Sequence, residues 1–408
     1  MPLPIARFFA DPSRRIVALL AVCQVFTMST SIMSTATSPL AAHMLLGDDK
    51  TWATLPLFLL QLGIMTATVP ASLLMRAKGR RFGFGTGALI CMTGGLICAA
   101  AMMIRSFELL CLGSFLQGAS SGIGWYYRFA AADTASHEFR PKAISLVLAG
   151  GVFAGLLGPQ AAKWTVDWFA PMTFAGVYIA LSAFAGIVFL IVQWLKIPKP
   201  SEEERRTSGR PMSEIAAQPA FKVAVLGAML GYGTMTLIMS ATPLAMLACG
   251  FSFAQSATVI QFHVIAMFGP SFFTGSLIKR FGVLTIILTG AAIEALCAIV
   301  SLTGVALTNF MIGLTLLGLG WNFIYIGATT LLTETYRPDE RAKVQGLNDL
   351  LVYTATATAA GLSGILSAKT GWTALNMGTL PLMVIVTGAV LWLATGRRRG
   401  AGHAAPAE

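Results

Sequence analysis

Long apolar runs separated by short polar breaks make up nearly all of this 408-residue chain. Twelve runs stand out, near 16–42, 52–75, 82–104, 107–131, 143–162, 172–195, 221–247, 252–278, 283–304, 308–333, 343–368 and 373–395. A bilayer core about 30 Å thick takes about 20 apolar helical residues to cross. Backbone groups inside it must bond to one another, which a helix achieves. The pattern therefore predicts an all-α membrane protein of twelve transmembrane helices.

The longest polar stretch, KIPKPSEEERRTSGRPMSEIAAQP at 196–219, is rich in charge, Pro and Ser and is expected to be a flexible linker. It divides the chain into an N-terminal six-helix bundle (1–195) and a C-terminal six-helix bundle (220–408). The two halves echo each other. TMSTSIMSTATSP at 27–39 resembles TMTLIMSATP at 234–243, and RRFG at 80–83 resembles KRFG at 279–282. Gly124-Trp125 and Gly320-Trp321 precede Arg140-Pro141 and Arg337-Pro338 by similar distances. Two pseudo-symmetric bundles are the expectation, with a substrate site near the midplane between them.

Composition agrees: 56% of residues are hydrophobic, 11% are charged and the mean hydropathy is +0.74. Soluble domains carry roughly a quarter charged residues. The net charge of +11 raises the question of nucleic acid, but its distribution answers it. Basic residues gather at the amino end, after the second, fourth, eighth and tenth runs, around the linker and at the carboxyl end. Only Lys50, Arg105, Lys163 and Lys369 fall on the other side. Basic loops stay cytoplasmic, so both termini are expected in the cytoplasm and no nucleic-acid partner is implied. The amino end shows no apolar core with a small-residue cleavage site, so no cleaved signal peptide is expected. The cysteines (Cys23, Cys91, Cys98, Cys111, Cys249 and Cys297) form no C-x-x-C pair, and five lie within apolar runs. No disulfide framework is expected.

Twelve runs, a central polar connection and basic loops after the second and eighth runs resemble the major facilitator superfamily. Its loop signature, G-x-L-a-D-R-x-G-R-R, is similar to SLLMRAKGRR at 72–81, with Gly79, Arg80 and Arg81 kept and Arg76 in the place of the acid. GSLIKRFG in the second half keeps Gly275, Arg280 and Gly282, with Lys279 for the acid. AGLLGPQAA keeps Gly158 and Pro159 of the fifth-helix signature. The resemblance covers the whole chain. It implies a secondary transporter working by alternating access, normally as a monomer, with the seventh helix lining a central cavity.

Candidate chemistry concentrates in the seventh and eighth runs. Met235 with Met239, and His263 with Met267, are spaced four apart, and such pairs share a helix face. Counted from the outer ends, the four lie at roughly 12 to 22 Å depth. Thioethers suit Cu(I), and imidazole binds copper as well. Methionine pairs in apolar helices are ordinarily packing, and a membrane histidine can be a hydrogen-bonded structural group. An ionisable residue there is nevertheless a functional candidate. Aligning Pro70 with Pro270 sets Gly63 opposite His263 and Ala67 opposite Met267, so the pair belongs to the second half alone.

M-x-x-x-M followed by H-x-x-x-M resembles the CcoA-type copper importers of bacteria. That resemblance implies Met235, Met239, His263 and Met267 as metal-binding residues and copper as the transported substrate. It further implies uptake across the bacterial inner membrane for assembly of cbb3-type cytochrome c oxidase, with a cytoplasmic copper chaperone as partner and no permanent cofactor. The alternative is an importer or exporter of a small organic solute such as riboflavin or a drug-like compound, stacked by Trp125, Tyr126, Tyr127 or Trp321. A copper sensor built on the same scaffold ranks last, because no signalling domain is visible. Cys249 and Met246 are candidates for metal entry at the outer mouth. Arg128 and Asp349, near the cytoplasmic ends of the fourth and eleventh runs, are candidates for an inner gate. Glu294, unpaired in the ninth run, is expected to be structural. Without a phosphate cradle or an acid–base cluster, the chain is not expected to be an enzyme.

Overall fold

A computed structural model describes residues 11–136, 139–195, 197, 209–337 and 340–402. Among them helices are the only regular elements. In the first half these are α1 (Pro12–Leu45), α2 (Leu55–Lys78), α3 (Arg80–Ile104), α4 (Phe107–Gly124), α5 (Tyr127–Thr134), α6 (Arg140–Thr165) and α7 (Ala175–Val192). The second contains α8 (Met212–Ala217), α9 (Pro219–Ala248), α10 (Phe253–Phe268), α11 (Ser271–Phe281), α12 (Val283–Leu302), α13 (Leu307–Thr333) and the run Arg341–Gly402. That run breaks at Gly371, whose φ of 77° and ψ of 176° are not helical, giving α14 (341–370) and α15 (372–402).

All twelve predicted segments are helical. Among the described residues eight helices meet a strict length and hydropathy test for crossing a membrane, with the run broken at Gly371 taken as one, and α10–α11 adds a ninth. Outside that test stand α4, interrupted by Gly, Ser and Gln, and α6.

Local chemistry sets the ends. The Asp11 carboxylate accepts from the Ser13 N–H at 2.9 Å and Pro12 opens the helix, a favoured start. The Ser13 hydroxyl, donating at 2.8 Å, and the Ser13 N–H hold the Asp11 carboxyl below its ordinary range. At the far end of α1, Lys50 donates to the carbonyls of His43 (2.7 Å) and Leu46 (2.6 Å), a cation on orphan acceptors. Ser252 and Gln255 form a capping box for α10. Gly79 (φ 91°, ψ 159°) and Gly282 (φ 85°, ψ 150°) make the same turn in the two halves, a conformation that favours glycine. The equivalence of Gly79 and Gly282 follows the loop signature and puts the RRFG/KRFG echo out of register by four residues.

Tertiary contacts reset the register of the repeat. Gly118 of α4 packs so closely on the Leu60 carbonyl of α2 that no side chain fits, and Gly318 of α13 does the same on the His263 carbonyl of α10. One turn on, a Cβ on Gly122 would stand 2.8 Å from the Ile64 carbonyl, while Asn322 donates to the Met267 carbonyl at 2.6 Å. Leu60 and Ile64, not Gly63 and Ala67, are therefore the counterparts of His263 and Met267. Prolines are poor register markers here: Pro70 lies inside α2, whereas Pro270 lies at the 43° bend between α10 and α11. Asn322 also takes up that bend, donating to Ser271 (2.8 Å) and accepting from Thr274 (2.7 Å). Such buried polar groups hold together where the helical ladder is broken.

Part of the expected linker is ordered. Residues 209–219 include α8, with Ile215 fully buried. Arg210 grips Glu340 through Nε–Oε1 (2.9 Å) and Nη2–Oε2 (2.8 Å), and Lys343 donates to the Arg210 carbonyl. The rest of the predicted flexible linker, apart from Ile197, lies outside the described residues up to Gly209. Phe272, Trp194 and Val384, each about 70% exposed, are typical of the outer apolar faces, as helices in lipid require.

Candidate functional site

A cavity of about 150 Å³ lies between the two halves. From the first half α1 contributes Gln24, Thr27, Met28, Ser31 and Thr35, a stripe with helical spacing, and α2 contributes Leu57, Leu60, Gln61 and Ile64. Ser121, Gly124 and Trp125 close it at the end of α4. Opposite stand Tyr232, Met235, Thr236, Met239 and Ser240 of α9, with Val264, Met267 and Phe268 of α10. Among the described residues the lining holds no Asp, Glu, Lys or Arg. It combines thioethers, aromatic rings, hydroxyls and amides.

Three of the four predicted metal residues, Met235, Met239 and Met267, line this cavity. His263 does not. The cavity face of α10 runs through 264, 267 and 268, and one residue back is a rotation of about 100°. The His263 ring instead turns toward α13, where Nδ1 donates to the Leu314 carbonyl at 2.8 Å. Because that carbonyl only accepts, Nε2 carries the lone pair; it is buried and has no partner among the described residues. In the first half the five-residue spacing separates the methionines: Met28 lines the cavity and Met33 is buried in the core behind it.

Other candidates separate similarly. Met246 is fully buried in the second-half core, so it does not face the mouth, whereas Cys249, the cap residue of α9, is exposed. Of the predicted stacking residues only Trp125 reaches the cavity. The Tyr126 hydroxyl donates to the Thr68 carbonyl at 3.0 Å, and Tyr127 packs on Phe84 with ring centres 4.4 Å apart. Trp321 stands one layer behind, stacked on Tyr325 at 5.0 Å and edge-on to Tyr232 at 5.2 Å. Tyr232 and Phe268 are the cavity aromatics that sequence reasoning missed; Tyr232 lies one turn before Met235 and Thr236 on the same α9 face, a signal that was available. Gln24 and Gln61, amides inside apolar runs, were also readable. Glu294 is fully buried beside Gly320, and neither carboxyl oxygen has a protein partner among the described residues.

Contacts between the halves seal the side opposite the basic loops. Lys163 donates to Thr258 (2.7 Å), Gln160 to Gln261 (3.3 Å) and the Gly364 N–H to Thr54 (2.9 Å), while Phe174 meets Phe253 edge-on. Ile32 and Ala154 pack on Ile260 and Val264 just inside. On the basic side Thr354 meets Met65 at 3.6 Å. Arg128 and Asp349 stand there without an ion pair between them.

Comparison with known proteins adds three relatives and one family. The sequence matches the Major Facilitator Superfamily over residues 17–299 and again over 224–408. It is 36% identical over 379 residues to the riboflavin transporter RfnT of Brucella anthropi, covering 92% of this chain and 95% of that one. It is 28% identical over 397 residues to the uncharacterized MFS-type transporter YdeG of Bacillus subtilis (93% and 92% covered). It is 29% identical over 374 residues to YddS of the same organism, also an uncharacterized MFS-type transporter (86% and 85% covered).

Proposed function

The chain belongs to the major facilitator superfamily, and from that premise we propose that it is a secondary transporter of a small, neutral, planar organic solute of the flavin class. The observation that carries this reading is the relation to a riboflavin transporter along nearly the whole of both chains. The cavity is consistent with it. Trp125, Tyr232 and Phe268 offer ring faces, and Gln24, Gln61, Thr27 and Ser31 offer hydrogen bonds to a polar chain. Uncharged walls suit a neutral solute, since an unpaired charge in a membrane cavity is costly. In this reading the end that carries the basic loops faces the cytoplasm, and solute moves between the outer side and the cytoplasm of a bacterial membrane.

The expectation of a copper importer does not lead, because the relative with a named cargo carries riboflavin. One observation keeps copper as a second reading. Four thioethers line the cavity, three of them at predicted metal positions, and His263 behind it has the arrangement of many metal-binding histidines, with one nitrogen donating to a carbonyl and the other without a partner among the described residues. Supply of copper to cbb3-type oxidase and a copper chaperone partner would follow only from that second reading.

The test is uptake of labelled riboflavin into cells that cannot make it, with labelled copper measured in parallel. Flavin uptake above empty cells, reduced by Trp125→Ala at matched membrane level, is expected. Absence of flavin uptake together with His263-dependent copper uptake would reverse the order of the readings.

A further inference from the structure

We propose that Gln24 sets specificity in the central cavity by bonding the imide edge of a planar ring, the O=C–NH–C=O run of a flavin. The inference rests on the flavin reading and narrows it. Of the hydrogen-bonding groups in the wall, Gln24 serves the ring and the others serve the chain.

Most hydroxyls of the first-half wall are engaged within the protein. Thr35 donates to the Ser31 carbonyl at 2.9 Å, Ser121 donates to the Gln117 carbonyl at 3.0 Å, and the Ser31 and Ser121 hydroxyls bond to each other at 2.8 Å. The carboxamides of Gln24 and Gln61 have no partner among the described residues, although Gln24 is only 4% exposed. Neither amide is sealed inside the protein, so both open on the cavity they line. A buried amide without hydrogen bonds is costly, and here a solute supplies them.

The two amides lie at different depths. Leu60 presses on Gly118, and Gln117 beside it accepts from Ser34, so Gln61 stands level with Ser34. Ten residues of α1 separate Ser34 from Gln24, about 15 Å along the axis. The cavity rings gather at the Gln24 end. A Cβ on Gly124 would stand 2.8 Å from Thr27, which sets Trp125 at that level. On α6, Gly150 packs on Ala21 and Val25, and Gly151 packs on the Phe268 ring. Trp321, 6.0 Å from Phe268 and 5.2 Å from Tyr232, joins those two rings. A planar solute therefore stacks beside Gln24 and extends its chain toward Gln61.

A carboxamide carries an acceptor and two donors in one plane. It accepts from the imide N–H and donates to the adjacent carbonyl, two parallel bonds of the kind that hold a nucleobase edge. A neutral group suits this wall, whose described residues include no charge. It satisfies the polar edge of the ring without a counter-charge to bury. A site built this way rejects an analogue whose edge is blocked, because its own polar groups are left unpaired.

The test is competition against labelled riboflavin uptake by the full-length protein in cells that cannot make riboflavin. Lumiflavin keeps the ring without the polyol chain, and its imide-N-methyl derivative lacks the N–H. In wild type, lumiflavin should compete at least about tenfold better than the methylated compound. Q24M, of similar length and at matched membrane level, should take up riboflavin more weakly and treat the two competitors alike within about twofold. Q61M should also lose riboflavin affinity yet keep the preference for the free imide. If Q24M transports nothing, quenching of ring fluorescence on binding to membranes gives the same comparison. Equal competition in wild type overturns the assignment while riboflavin uptake stands, as does a preference that survives in Q24M or disappears in Q61M. Absence of riboflavin uptake by wild type sinks the flavin reading, and this assignment with it.

Discussion

Leu60 and His263 hold equivalent places in the two halves, each with its backbone carbonyl pressed against a glycine of the neighbouring helix, Gly118 and Gly318. The first half fills the place with an aliphatic side chain and the second with an imidazole bonded to Leu314 at 2.8 Å. A histidine that replaces a leucine at a helix contact, off the cavity face, has a structural explanation that needs no ligand.

His263→Leu tests this. Exchange of a buried hydrogen-bonded group for an apolar one of similar size is expected to change stability by only about 1 kcal/mol. Riboflavin uptake should stay within about twofold of wild type. Thermal melts in detergent and uptake at matched protein level check both. Loss of a copper-uptake activity in the same variant would support the second reading.

The glycine contacts should be intolerant. A Cβ at Gly118 would meet backbone that can move only if α2 and α4 separate. Overpacking of this kind costs about 1–3 kcal/mol or more, and a rigid carbonyl puts it at the upper end. Gly118→Ala and Gly318→Ala are expected to lower the melting temperature clearly, whereas Gly378→Ala, in open space, should not.

Trp125 should matter for affinity. Removing an aromatic face from the cavity is expected to weaken solute binding about tenfold, equivalent to about 1.4 kcal/mol. Trp125→Ala should raise KM for riboflavin, and Trp125→Phe should retain most of the affinity. A radioligand-binding measurement in membranes separates this from a change in turnover.

The linker clamp carries a pH signature. Arg210 and two backbone N–H groups hold the Glu340 carboxyl well below the ordinary glutamate range. A carboxylate depressed by folding contributes its stability above the unfolded value, about 4.3, and loses it as pH falls toward the folded one. The melting-temperature gap between wild type and Glu340→Gln should be constant from pH 8 to pH 6. It should shrink only once the medium is acidified below about pH 4.3.

The helical segments and the superfamily were legible because bilayer crossing demands long apolar helices whatever their neighbours. The α9 face bearing Met235 and Met239 was legible for the same local reason. Register between the halves was not. Prolines and Gly-Trp pairs look alike in the sequence, but equivalence was set by which glycine admits which carbonyl across a helix pair. Spacing put His263 and Met267 together, and about 40° of helical drift per four residues, with Gly318 drawing α10 onto α13, sent one ring to Leu314 and left the other side chain in the cavity. Which aromatic rings reach the cavity likewise depends on how two bundles meet. The cavity lining comes from six helices distant in sequence, and no local pattern encodes that meeting.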